Sequence, residues 1–376
     1  MKIAIFPAGR DGRRLYSILK NVNDVEVKYF VDNNLNKTNE KVDQDVCIDV
    51  VSPPQIKRLM DDKLVDRILI NSGWGLSYIL DEMKEQLEFL EIDNYSIVPA
   101  YILRKEKLDE TDYQKIFIGK KDFNQLQHLQ FHVADKCNLN CRRCQHFSNI
   151  ASDIAFPKFE NVERDFFRLK ELFNDINRIA ILGGEPLLNP QLPQYCRMAR
   201  QSFPYAKIDI ITNGLLVRNM SRELITTVLE NDILINISYY PVIELIKDDI
   251  INFLRINKMR HIIGPKINTF SKKMTLHPLQ NPLDQFKKCR DRCCTTLRDG
   301  KLYPCYLPAT VSIFNKQFET DIVATESCID IYDPNLTGYK ILDKLSYGFD
   351  ICRYCTNEKI FPWEQTNEVL LDDWII

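Results

Sequence analysis

The sequence has almost no surplus of charge in either direction: 50 lysine and arginine residues stand against 52 aspartate and glutamate residues, a formal net charge of -2. Without a basic excess the chain lacks the electrostatic footprint that nucleic acid or an anionic membrane surface requires, so neither is expected as a partner. Long hydrophobic runs are missing too. No apolar stretch approaches the ~18 residues that span a bilayer. The opening run Lys2-Ile3-Ala4-Ile5-Phe6 is too short for a signal-peptide core and is followed by Arg10, Arg13 and Arg14. A soluble, cytoplasmic protein is the expectation. Repeats at solenoid spacing and low-complexity tracts are also absent. What is there is 376 residues with 45% hydrophobic content, enough for two or three domains with cores of their own.

Cysteine, in contrast, is plentiful. Twelve cysteines in a chain without a secretion signal point to metal or redox chemistry rather than disulfides. Cys47 and Cys196 stand alone in apolar-rich segments and read as small buried hydrophobes. The others fall between positions 137 and 144 and between 289 and 355.

Periodicity divides the chain. Residues 1–103 alternate strand-like and helix-like segments: 2–6, 10–21, 25–31, a short strand near Cys47, a helix opened by Ser52-Pro53-Pro54, 66–70, and a long helix to about Leu90 after Gly73 and Gly75. This is the rhythm of a small doubly wound parallel sheet, a Rossmann-like domain. Pro7-Ala8-Gly9-Arg10-Asp11-Gly12 lies between strand and helix where dinucleotide folds carry a glycine-rich turn, and Asp32 ends the second strand. Gly9, Gly12 and Asp32 are therefore candidates for a nucleotide or nucleotide-sugar site on a helix N-terminus, the alternative being a purely structural domain. Residues 104–126 are rich in charge and weak in period and read as a linker. From Leu129 a second series begins, with strands at 129–134, 178–182, 207–211, 233–238 and 260–263 and helices between them. Such βα units build a parallel barrel, here a partial one within residues 127–285, with functional loops at the C-terminal strand ends. Residues 286–376 look cysteine-rich and turn-rich.

Cys137-Asn138-Leu139-Asn140-Cys141-Arg142-Arg143-Cys144 follows the strand ending at Ala134. Three thiolates in one compact loop leave a fourth iron of a 4Fe-4S cluster open to an outside ligand. A zinc site completed by His146 is the structural alternative. Gly183-Gly184-Glu185-Pro186 follows the next strand, its glycines permitting close backbone approach to a ligand and Glu185 able to accept hydrogen bonds from an ammonium group. Thr212-Asn213-Gly214 and Ser238 end the two strands after that.

These features together resemble the radical S-adenosylmethionine (SAM) superfamily, whose Cys-x3-Cys-x2-Cys loop is matched cysteine for cysteine. The resemblance implies that Cys137, Cys141 and Cys144 hold a 4Fe-4S cluster and that Gly183, Gly184, Glu185 and Pro186 bind the SAM amino group. It also implies that Thr212, Asn213 and Ser238 contact its ribose and carboxylate. The residue before the last cysteine, often aromatic in that superfamily, is Arg143. Farther on, Cys289, a Gly300 to Cys305 hairpin with an Asp299-Gly300 turn, and Cys352-x2-Cys355 could form a zinc ribbon on spacing alone. They resemble the twitch subdomain, a relative of the SPASM domain, and so imply an auxiliary 4Fe-4S cluster, with Cys293 or Cys294 as rivals to Cys289 for first ligand. A leftover thiol, Cys294 or Cys328 among them, would be a hydrogen-atom donor or structural.

The expected function is thus a radical SAM oxidoreductase or epimerase with two 4Fe-4S clusters, acting on a sugar, nucleotide sugar or glycan precursor. Flavodoxin or ferredoxin would be the electron donor. A peptide-modifying maturase and a non-catalytic iron-sulfur or zinc scaffold are the alternatives.

Overall fold

The computed structural model describes residues 1–34, 36–42, 46–71, 77–105, 107–117, 124–151, 156–323 and 326–376. Gly73, Gly75 and the charged run at Lys120 lie outside them. The chain forms two compact units, Met1–Gln127 and His128–Ile376.

The first unit contains β1 (Lys2–Phe6), α1 (Arg10–Leu19), β2 (Glu26–Val31), β3 (Asn39–Lys41), β4 (Cys47–Val51), α2 (Pro53–Asp61), β5 (Arg67–Ile70), α3 (Ser77–Phe89), β6 (Tyr95–Ile97) and α4 (Glu110–Ile116). Its six strands lie in the order β3-β4-β2-β1-β5-β6, parallel throughout except for β3. Strand alternation sends Ile3, Ile5 and Leu69 to one face, against Leu15 and Leu19 of α1. Ala4, Phe6, Ile68 and Ile70 go to the other, against Leu80, Met83 and Leu87 of α3. Both faces of β1 are covered, as parallel sheets require.

Two expectations for this unit change. The stretch read as a linker contains α4, whose Ile116 is wholly buried in the same core as Tyr101 and Ile102. Seven residues make too little helix for a visible period, yet Asp109 and Asp112 cap its start reciprocally through each other's backbone N–H. Cys47 is exposed rather than buried, because Ile48 and Val50 take the inward positions of β4. Cys196 is buried as expected.

In the second unit β7 (Gln125–Ala134), α5 (Phe159–Leu172), β8 (Asp175–Gly183), α6 (Leu192–Ser202), β9 (Lys207–Thr212), α7 (Arg222–Glu230), β10 (Leu234–Ile237), α8 (Lys247–Ile256) and β11 (His261–Ile263) follow the anticipated alternation. Strands β7 to β11 neighbour one another in sequence order, with parallel pairing from β8 to β11. Beyond them come β12 (Thr269–Met274), α9 (Pro282–Lys288), β13 (Thr296–Arg298), β14 (Lys301–Tyr303), α10 (Tyr306–Phe318), β15 (Ile329–Asp330), α11 (Gly338–Leu345) and β16 (Cys355–Pro362). The predicted hairpin is β13-β14, and it joins the free side of β7, extending the sheet by three strands with β15. Its turn residues Asp299 and Gly300 both have positive φ, as a tight two-residue hairpin turn needs.

The C-terminal third is less turn-rich than its sequence suggests. Cys305 precedes the 13-residue helix α10, and β12 pairs antiparallel with β16 as a separate ribbon. The lysines and glutamate on those two strands obscure their alternation. No helix among the described residues is long and apolar enough to cross a membrane.

Candidate functional site

Strand β7 delivers the chain to Cys137, and the loop that follows sets each thiol among hydrogen-bond donors. Cys137 Sγ accepts from Leu139 N at 3.4 Å and Asn213 Nδ2 at 3.5 Å; Cys141 Sγ accepts from Trp363 Nε1 at 3.3 Å. Cys144 is served by backbone N–H groups of Ser148, His146 and Phe147. Burial, with lesser contributions from neighbouring charge, raises the Cys137 and Cys141 thiols to about 12. As free thiols they stay protonated; a cation must be bound to draw off the protons. Among the described residues no three His, Cys, Asp or Glu side chains converge closely enough to share one metal ion. Cubane thiolates need not, since each binds a different iron. His146, the proposed fourth zinc ligand, instead shares a 3.0 Å hydrogen bond with His132 Nε2 through its Nδ1 and packs on Tyr306. The donor set thus suits a thiolate-held cluster.

Glu185 sits behind this loop, fully buried. Its Oε1 accepts from Leu187 N (3.0 Å) and Thr212 Oγ1 (2.8 Å), and its Oε2 from Asn213 N (2.9 Å). A carboxylate has about four lone-pair sites, so one on Oε2 is left for a further donor. Burial raises the Glu185 carboxyl to about 7, the three hydrogen bonds opposing it; a bound cation would bring it down. Pro186 opens a short 3-10 turn, Pro186–Leu188, with Glu185 as its cap.

The glycines ahead of Glu185 also have a cause within the chain itself. A Cβ on Gly183 (φ +149) would fall within 3.0 Å of Ala134 O, and one on Gly184 would fall 2.7 Å from Asp135 O and closer still to Lys136 O. The chain entering the cysteine loop approaches them, fixed by Gly184 N to Ala134 O (2.8 Å) and Glu185 N to Lys136 O (3.1 Å). The two motifs therefore hold each other in register. Thr212 and Asn213, read as SAM contacts, also orient Glu185, and Asn213 Nδ2 donates to Asn138 Oδ1 at 2.7 Å. Ser238 is tied by its N–H to Thr212 O at 2.9 Å.

Sequence reasoning missed the cover of this loop. Residues after β16 run back along it: Cys141 bridges Gln365, Arg142 N donates to Glu364 O (2.9 Å) and Thr366 N to Asn140 O (3.0 Å). Trp363 stacks on Tyr240 at 5.6 Å, and Trp374 Nε1 donates to Cys144 O at 2.9 Å. Arg143, where an aromatic ring was the common expectation, lays its guanidinium 4.4 Å over Phe361 and pairs with Glu364 at 2.9 Å. Rings absent from the loop are supplied by the C-terminal segment. The aromatic spacing Phe361-x-Trp363 was the available signal, but nothing local says what it meets.

Cys289, Cys305, Cys352 and Cys355 share one neighbourhood, where each has Lys273 as a charged neighbour. Lys273 is 8% exposed, pairs closely with Asp291 Oδ2 and lies 5.5 Å over the Tyr306 ring. Cys294, the rival first ligand, is hydrogen-bonded to Cys293; this contact lowers the Cys293 thiol and raises that of Cys294. His128 Nδ1 contacts Cys293 O at 3.1 Å, and Cys294 has Cys305 of the first group as a charged neighbour.

In the first unit Gly9, at φ +105, precedes α1. Gly12 serves packing, since a Cβ there would press on Pro7 O at 2.6 Å and Phe30 at 3.0 Å. Asp32 accepts from Asn34 N (2.9 Å) and Lys37 Nζ (3.0 Å), so its charge is already paired.

Among known proteins, the chain is 29% identical over 89 residues to a 7,8-dihydro-6-hydroxymethylpterin dimethyltransferase of Methanocaldococcus jannaschii, covering 24% of this chain and 17% of that one. It is 30% identical over 103 residues to a GTP 3',8-cyclase of Staphylococcus saprophyticus, covering 26% and 30%. The matches span less than a third of these curated relatives. Among solved structures, BtrN in complex with AdoMet and 2-DOIA is similar with a TM-score of 0.40 at 16% identity, covering 63% of this chain and 94% of that one. SuiB of Streptococcus suis bound to S-adenosylmethionine gives 0.32 at 16%, covering 50% and 44%. The model of the Radical SAM superfamily matches residues 131–240, the stretch that carries the cysteine loop, Glu185, Asn213 and Tyr240, so it is to that superfamily that this part of the chain is similar.

Proposed function

We propose that this protein is a radical SAM enzyme that abstracts a carbon-bound hydrogen from a sugar, nucleotide sugar or glycan precursor, leading to dehydrogenation or epimerisation. One constellation carries the reading: three hydrogen-bonded thiols in the loop after β7, backed by a buried carboxylate with one acceptor site left. Cys137, Cys141 and Cys144 would hold a 4Fe-4S cluster, Glu185 would receive the SAM ammonium group, and Thr212, Asn213 and Ser238 would flank the rest of SAM. When bound, that pair supplies a 5'-deoxyadenosyl radical on one-electron reduction. The chain's own part is orientation and exclusion of water. Asn213 fixes Cys137 and Asn138 together, Thr212 and Asn213 aim Glu185, and Trp363 with Tyr240 shields the loop.

Cys289, Cys305, Cys352 and Cys355 are the set we assign to an auxiliary 4Fe-4S cluster; their common neighbour Lys273 would offset the charge of four thiolates. For substrate, a cavity of about 220 Å³ beside β7 and β13 is lined by His132, Asp135, Asn161, Asp165 and Arg298. Phe131, Phe156, Pro157, Val162 and Leu297 share the lining, so it would take a molecule that has hydroxyls on one face and carbon-bound hydrogens on another. Flavodoxin or ferredoxin would deliver the electron.

The test is anaerobic reconstitution of the chain and of a Cys137→Ala, Cys141→Ala, Cys144→Ala variant, each given SAM and dithionite. Only the parent should form 5'-deoxyadenosine; its formation by the variant overturns the assignment. Reactions in deuterated water with candidate glycan precursors then separate the outcomes, since epimerisation by a thiol inserts solvent hydrogen at the inverted carbon and dehydrogenation inserts none. A modified peptide as sole product would refute the sugar reading while leaving the radical chemistry intact.

A further inference from the structure

The strand order of the first unit reverses at β1, which has β2 on one side and β5 on the other. In open α/β sheets the crevice at the carboxyl ends of such strands is where ligands bind. Two independent features meet there. First, α1 begins without a side-chain cap: its N-cap is Gly9, so the N–H groups of the first turn have no side-chain acceptor from that position. Asp11, in the same turn, is turned to Arg10 at 3.6 Å. Lys37 Nζ stands 3.9 Å from where a Gly9 Cβ would be, which brings a cation over the same turn.

Second, Asn71 continues β5 by one residue, donating its N–H to Phe6 O at 3.1 Å. Its side chain is 1% exposed, and among the described residues neither Nδ2 nor Oδ1 has a hydrogen-bond partner. Alternation decides which way it faces. Leu69, two residues earlier, packs with Ile5 and with Leu15 and Leu19 of α1, whereas Ile70 and Phe6 pack on the opposite layer. Asn71 therefore points to the α1 side, at the end of the sheet where α1 starts. A buried amide with both of its groups unpaired is a cost that folded proteins rarely carry without a reason. An amide also recognises a partner that both accepts and donates.

We propose that this crevice binds a diphosphate-bearing nucleotide. The diphosphate lies on the first turn of α1 under Lys37, Asn71 Nδ2 donates to a phosphate oxygen, and Asn71 Oδ1 accepts from a hydroxyl of the same nucleotide. The site belongs to the first unit and stands whether or not the second unit cleaves SAM.

Calorimetry on the full chain with UDP, NAD+ and inorganic pyrophosphate tests this. UDP or NAD+ should bind, which of the two telling a nucleoside diphosphate from a dinucleotide, and saturating SAM should leave the affinity unchanged. Asn71→Asp should weaken binding at least tenfold through charge repulsion. Asn71→Leu should abolish binding and raise the Tm, because it removes the unpaired amide. Lys37→Ala, a change at a half-buried side chain, should weaken binding several-fold even if the Asn71 variants fold poorly. Absence of heat with both nucleotides, binding of pyrophosphate alone, competition by SAM, or unchanged affinity in Asn71→Asp and Lys37→Ala would each overturn the proposal.

Discussion

Replacing Gly184 by alanine is the sharpest perturbation the second unit offers. The added Cβ would lie 2.7 Å from Asp135 O and closer to Lys136 O, all backbone atoms that cannot rotate away. To restore ordinary contact the ends of β7 and β8 must move apart by about 1 Å, an overpacking that costs ~1–3 kcal/mol. That movement also strains the bonds from Gly184 N to Ala134 O and from Glu185 N to Lys136 O, each contributing ~0.5–1.5 kcal/mol. The sum is about 2–6 kcal/mol, a large share of the ~5–15 kcal/mol that holds a domain folded. Urea unfolding of the metal-free protein should show it as an early transition of the second unit, with the first unit unchanged. A displacement of that size beside the thiols should also lower the rate of SAM cleavage by ~100-fold in whatever fraction remains folded. Gly214→Ala is the control. There φ is +86, and the new Cβ would meet Ile237 Cγ2 at 3.1 Å and Ile243 Cδ1 at 3.5 Å, side-chain ends that can yield, so ~1–2 kcal/mol of backbone strain is expected. If Gly184→Ala loses no more stability than Gly214→Ala, the close passage of chain on chain is not what glycine provides at 184.

Three further outcomes are expected. Trp363→Phe removes an N–H donor from Cys141 Sγ and should lower the midpoint potential of the reconstituted cluster, read by EPR-monitored titration, with little change in iron content. Changing Cys289, Cys305, Cys352 and Cys355 to serine should reduce iron from about eight to about four atoms per chain, while Cys294→Ser should leave it unchanged. Asp135 is held well below the usual carboxylate range: burial alone would raise it, but hydrogen bonds with Arg298 and His132 prevail. A depressed carboxylate stabilises the fold above its unfolded pKa and loses that contribution on acidification. Asp135→Asn should therefore cost about 3–5 kcal/mol at pH 7, and the gap in urea midpoint from the parent should narrow below about pH 4.

Strands were legible where burial obeys a period. Residues 2–6 and strands β7 to β11 of the second unit could be read from alternation or apolar runs, and Asp299-Gly300 announced its own turn. The cysteines of the loop were legible as a spacing, but their environment was not. Trp363, Glu364 and Phe361 come from more than 200 positions away, and no local pattern encodes a partner at that distance. Gly183 and Gly184 were legible as places of close approach, for a ligand or for the chain itself, but the passage of Ala134 to Lys136 beside them was not. The same absence of a Cβ serves either neighbour, and only coordinates distinguish them. Asn71 carries no motif at all; its interest lies in what its buried amide lacks.

The return of the C-terminal segment over the cysteine loop sets an order of events during synthesis. Cys141 and Trp363 are 222 positions apart. At ~5–20 residues per second the ribosome needs roughly 10–45 s to travel from one to the other. Throughout that interval the loop is made but uncovered. Iron delivered then meets a loop without Trp363 and Gln365 beside it, whereas iron delivered later meets a Cys141 that is already buried. A nascent chain stalled short of position 361 should accept a cluster more readily than the finished protein, and also lose it more readily to oxygen.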